Sequence, residues 1–136
     1  MDPLSVHTAA HTALDAIAHV TVYDGDVPDK PPADTAGRVL PYLVLWANPG
    51  RHLPDSENLA ASASTALSAD LTITCAGGTQ ARVLQVAHLA RNALLGVVLT
   101  GCGPASELTA PRPVQIDRNV TPARFYTVLT FRLTAP

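Results

Sequence analysis

Lysine is nearly missing: Lys30 is the only one among 136 residues, so eight of the nine basic residues are arginine. Cysteine is almost as scarce. Cys75 and Cys102 stand 27 positions apart, with no CxxC and no neighbouring cysteine–histidine cluster. That excludes a zinc-ribbon or dithiol motif and is expected of buried or half-buried thiols in a reducing compartment. No apolar run approaches the ~18 residues of a membrane span. The opening MDPLSVHTAAH has neither a basic n-region nor a long apolar stretch, so no signal peptide is expected and the chain is expected to be cytosolic when made. No GxSxG or activated-cysteine motif supplies a nucleophile.

What is present is an ordinary globular composition, 47% hydrophobic and 15% charged. Its length suits one domain, residues 1–136. Much of the apolar content is alanine, which buries little area per residue, so the core of a lone copy should be modest. The net charge of −2 is unevenly spread. Residues 1–80 carry nine acids against Lys30, Arg38 and Arg51, whereas residues 81–136 carry six arginines against Glu107 and Asp117. Such polarity can orient subunits. It is not the dense basic patch of a nucleic-acid reader.

Asp2-Pro3 is an N-cap followed by a first-turn proline, and Val6, Ala10, Ala13, Leu14 and Ile17 continue at helical spacing to about His19. HVTVY reads as a short strand. RVLPYLVLWAN (residues 38–48) is the strongest strand signal, with Pro41 marking an edge, a bulge or the strand start. ALSADLTITCA alternates as a half-buried strand. Gly77-Gly78 break it, and Thr79 can cap a helix carrying Val83, Val86, Ala87, Ala90 and Leu94, which Gly96 stops. PVQID and PARFYTVLTFRLTAP close the chain as strands. In the last, Phe125, Leu129, Phe131 and Leu133 share one face, and Arg124, Tyr126, Thr130 and Arg132 the other. Strands in blocks, not in strict βαβ alternation, predict an α+β fold: a mostly antiparallel sheet with two main helices on one face. Long connections at 24–37, 48–66 and 100–111 suggest interface loops.

Two segments invite a metal reading. VYDGDVPDKPPAD places Asp24, Asp26, Asp29 and Asp34 among three prolines, and D-G-D opens many calcium loops. Counted from Asp24, however, position 5 is Pro28, position 6 is Asp29 where glycine belongs, and position 12 is Thr35 in place of a bidentate glutamate. A solvated, proline-stiffened, extended loop is the better reading. His7, His11, Asp15 and His19 follow at four-residue steps, but they spread over about 18 Å of helix and cannot share one ion. HTAAH lacks the glutamate of HExxH. No metal and no cofactor is therefore expected. CAGGTQAR lacks the P-loop and GxGxxG spacings and reads as a tight β–α turn. The NVT sequon at Asn119 is a chance match in a cytosolic chain.

Taken in order, the leading helix, VTVYDGDVPDKPP, GRVLPYLVLWANPG, a polar gap, LTITCAGGTQARVLQVAHLARNALLG and PVQIDRNVTPARFYTVLTFRL resemble tail terminator (tail completion) proteins of long-tailed bacteriophages, particularly those infecting actinobacteria. The likeness covers nearly the whole chain, and no short stretch within it is diagnostic. It implies a non-enzymatic virion part, assembled in the host cytoplasm. Six copies would form a ring on the head-proximal end of the tail tube, halting polymerisation of the major tail tube protein and meeting the head–tail connector or neck proteins. Genomic DNA would pass through the lumen without sequence-specific binding, and no membrane is involved. The lumen is expected to be neutral or acidic, with most arginines on protein–protein faces. The family supplies no catalytic residues. Interface candidates are Asp24, Asp26, Asp29, Lys30, Arg51, Arg118 and Arg124, because rings need unlike, complementary patches. Two alternatives remain: a head-completion or stopper protein of the neck, or a small metal-dependent hydrolase using the Asp24–Asp34 loop with His7 or His11.

Overall fold

A computed structural model describes residues 2–27, 29–52, 67–95, 105–108 and 112–135. The element order is α1 (Pro3–Asp15), β1 (Thr21–Asp24), β2 (Tyr42–Ala47), β3 (Arg51–His52), β4 (Leu67–Gly77), α2 (Gln80–Leu94), β5 (Ser106–Glu107), β6 (Gln115–Asp117) and β7 (Arg124–Ala135). The strands form one open sheet in the order β1-β2-β4-β7-β5, with β3 beside β4 and β6 beside β7. All pairs are antiparallel except β1 with β2. Both helices pack on one face, which makes the fold α+β, as the block pattern of strands predicts.

Each helix begins where its cap residue stands. The Asp2 carboxylate accepts from the Ser5 N–H at 2.8 Å, and Pro3 occupies the first turn, where no N–H is needed. The Thr79 hydroxyl accepts from the Arg82 N–H at 3.2 Å. The apolar stripes fall as their spacing dictates: Val6, Ala10 and Leu14 on α1, and Val83, Val86, Ala87, Ala90 and Leu94 on α2, are all buried. Three of these eight helix residues are alanine. The bulk comes from the sheet, from Leu43, Leu45, Leu71, Ile73, Leu129, Phe131 and Leu133, each worth about 1.5–3 kcal/mol of burial. Alanine on the helices lets them lie close to that layer.

Four expectations are corrected. α1 ends at Asp15, short of His19: the Ile17 N–H bonds the Leu14 carbonyl, and His19 takes a left-handed conformation (φ 63°) that turns the chain toward β1. That turn brings Ile17, Val20 and Val22 onto the core, which continued helix could not do. β2 starts only after Pro41, because the preceding Val39 is committed to a bridge with Ala33. Arg51–His52, expected as loop, pairs with Ser68 and Leu67 of β4. Ser106–Glu107, also expected as loop, pairs with Arg132 and Phe131 of β7. β4, of 11 residues, outruns β2, and β7, of 12 residues, is paired with β4 along one side only, so short segments take up the backbone groups left over. The expected stop at Gly96 lies outside the described residues, as do the remainders of the second and third long connections and Cys102.

Candidate interaction surface

The helices cover one face of the sheet and leave the other open. Register fixes what lies on that open face: Tyr42, Ala76, Tyr126 and Gln115 form one row, Val44, Thr74 and Val128 the next, and Trp46, Thr72 and Thr130 a third. Asp70 stands opposite Arg132, and Asp117 opposite Arg124. Trp46 and Val128, large apolar groups of this face, are 44% and 41% exposed.

The polar groups of this face are tied to one another. Arg132 donates from Nε and Nη2 to the two oxygens of Asp70, at 2.8 and 3.0 Å. Those hydrogen bonds hold the Asp70 carboxyl below its ordinary range. Arg124 donates to Asp117 at 3.2 Å and, from Nη1, to the buried Tyr42 hydroxyl at 2.8 Å. The Tyr126 hydroxyl donates to Gln115, and Trp46 Nε1 donates to the Thr74 hydroxyl at 3.1 Å. Each carboxylate of these rows is thus matched by an arginine, Arg51 adds a further cation beside Asp70, and the rest of the face offers aromatic, methyl and hydroxyl surface. A cleft of about 300 Å³ opens among Val27, Trp46, Thr74, Arg124 and Tyr126.

The aspartate segment is not the extended arm its prolines suggest. It connects two parallel neighbours, β1 and β2, and must cross back over the open face to do so. Val27 and Val39 pack there on Tyr42, Val44 and Ala76, a second small core behind the sheet. Two backbone bonds close the fold-back, Asp34 N–H to the Arg38 carbonyl and Leu40 N–H to the Pro32 carbonyl, both 2.8 Å. Asp34 Oδ1 also accepts the N–H groups of Ala36 and Arg38, the usual aspartate turn.

The sequence-predicted residues separate accordingly. Asp24 lies 2.7 Å from Nε2 of His7, joining β1 to α1, and the His11 ring stands 6.2 Å from that of His7. Asp26, Asp29 and Lys30 are exposed on the fold-back, and Asp26 accepts only from the N–H of Val27. Arg51 lies on β3 and lines a shallow hollow with Asp70 and Arg132. Arg118 is exposed just beyond β6, whereas Arg124 is half-buried and saturated by Asp117 and Tyr42. Among the described residues no three of His, Cys, Asp and Glu group in a way that could hold a metal ion. Cys75 is in the core, where burial pushes its thiol up to about 12.

Sequence reading missed the two pairs that organise the open face, Asp70–Arg132 and Asp117–Arg124–Tyr42. The signal was there in part: Arg124 and Arg132 fall on the polar side of the last strand, and Asp70 on the polar side of β4. What the sequence does not contain is the register that sets them opposite each other. On the helical side, Arg91 makes a bidentate bond to Glu107 at 3.1 and 3.0 Å, fixing β5 to α2.

No protein-family model and no curated protein matches the sequence. Among solved structures, the fold is similar to a chain of the virion of a native gene transfer agent particle, with a TM-score of 0.56. The identity is 20%, and the match spans 96% of this chain and 93% of that one. What this chain shares with that virion component, over almost the full length of both, is the fold.

Proposed function

We propose that the protein is a structural, non-enzymatic component of a phage-like virion, and specifically a tail terminator. A ring of six copies would cap the head-proximal end of the tail tube, halt its polymerisation and join the tail to the neck. The observation that carries this reading is the end-to-end correspondence of fold with a chain of a gene transfer agent virion. A match over only part of that chain would have suggested a borrowed module; here the match takes in nearly all of both chains.

Two features of the surface support it. The open sheet face exposes Trp46 and Val128 beside two internally paired carboxylates, Asp70 and Asp117, which suits burial against other protein better than contact with water. The described surface also carries unlike patches, which a closed ring requires because each subunit meets its neighbour through two different surfaces.

The test is native mass measured alone and with purified tail-tube protein. A six-membered ring on capped tube ends is the expected result. Co-purification with filled heads and no binding to tubes would instead assign the chain to the head-completion or stopper role. A stoichiometric bound metal with hydrolytic activity would overturn the structural reading.

A further inference from the structure

We propose that copies of this chain join head to tail through the two free edges of the sheet: the acidic fold-back beside β1 of one copy meets Arg112 and Arg118 beside β6 of the next. The inference rests on the ring reading above and names the surfaces that would form the ring.

The strand order supplies the first argument. Among the described residues, β1 ends the sheet on one side and pairs only with β2, while β6 lies at the other side and pairs only with β7. The two edges are four strand spacings apart, roughly 19 Å. The fold-back reaches inward over the open face, where Val27 shares a cleft with Asp117 and Arg124, yet among the described residues no ion pair joins Asp26 or Asp29 to Arg112 or Arg118 within one copy. Each edge also presents an unpaired strand side, short enough (four and three residues) not to promote indiscriminate pairing.

Charge supplies the second argument. The segment 24–34 holds four aspartates against Lys30. Asp24 is engaged by His7 and Asp34 by its own turn, which leaves Asp26 and Asp29 presented outward. At the far edge, Arg112 and Arg118 flank β6, are exposed, and have no carboxylate partner among the described residues. The other arginines of that half are already spent: Arg91 on Glu107, Arg124 on Asp117 and Arg132 on Asp70. Only Arg82, on the outer side of α2, stands apart from both groups. The exposed aspartates of the fold-back and the exposed arginines beside β6 thus belong to elements at opposite ends of the strand order. A surface with complementary, non-identical ends associates heterologously, the kind of contact that closes into rings.

Two edge-reversed proteins test this, Asp26→Arg/Asp29→Arg and Arg112→Glu/Arg118→Glu, with assembly on tail tubes followed by native mass against concentration. Each alone now sets like charges against each other, and its assembly midpoint should rise about tenfold or more. Mixed in equal amounts, the two should assemble again, with the two kinds of copy alternating around the ring, because every contact is then between opposite charges. Damage to folding could not be repaired by mixing. If each variant assembles like the wild type, or if the mixture fails where each alone fails, the edge pairing is wrong while the ring reading stands. Failure of the wild type itself to assemble, alone or on tubes, overturns both.

Discussion

Gly78 is the point at which one added methyl group should disturb the open face without touching it. A Cβ there would lie 2.8 Å from the carbonyl oxygen of Val39, 3.2 Å from Cβ of Arg38 and 3.3 Å from the Val39 nitrogen. Two of those three atoms are backbone, so no side-chain rotation relieves the contact. The segment Arg38–Val39 has to move, and it carries both the bridge to Ala33 and the buried Val39 side chain. Such overpacking costs about 1–3 kcal/mol. Replacing glycine also narrows the unfolded ensemble, which returns about 0.4–1 kcal/mol. Gly78→Ala should therefore destabilise the protein by about 1–2 kcal/mol, a fall of roughly 3–10 °C in thermal midpoint for a chain of this length. The assay is urea unfolding together with amide exchange at Asp34 and Leu40, whose N–H groups close the fold-back. Exchange there should accelerate more than in β4 or β7. Unchanged stability, or a loss in which those two amides stay as protected as in the wild type, would refute the steric account.

Three further outcomes follow from the packing and the charges. Phe131, fully buried opposite Leu71 at the centre of the sheet, should lose about 3–5 kcal/mol on truncation to alanine, a large part of the stability of a small domain, read from the urea midpoint. In a Cys102→Ser background, Cys75, buried and with its thiol raised to about 12, should be alkylated at pH 8 no faster than the protein opens, so adding urea should accelerate labelling in step with unfolding; rapid labelling of the folded protein would place the Cys75 thiol at the surface. Asp70 has a folded-state pKa below its ordinary value of 3.8 because Arg132 hydrogen-bonds the carboxylate. Its contribution is complete above 3.8 and is lost as pH falls through the lowered value, so Asp70→Asn should flatten the decline of the urea midpoint in that acidic window and leave its slope near neutrality unchanged.

The corrections to the sequence reading have a common origin. Arg51–His52 and Ser106–Glu107 contain nothing that marks them as strands; they are strands because β4 extends beyond β2 and the outer side of β7 leaves backbone groups to be met. The aspartate segment was legible as acidic and proline-rich but not as folded back. That shape follows from β1 and β2 being parallel neighbours, which forces a crossing over the sheet. Arg124 looked like any other exposed arginine of the last strand, yet Tyr42, 82 residues earlier, holds its guanidinium inside.

By itself the sequence determined the two helices and their caps, the alternating faces of β4 and β7, and the α+β class. Those properties depend on spacing along the chain: 3.6-residue and two-residue periodicity, a capping side chain at each helix start, and Gly77-Gly78 between strand and helix. Tertiary structure alone decided which strands are neighbours and in what register. Strand pairing depends on backbone groups common to every residue, so the chain does not spell it out locally. That pairing joined Asp70 to Arg132 and Asp117 to Arg124 on the open face, and set β1 with its acidic fold-back and β6 with Arg118 at opposite ends of the strand order.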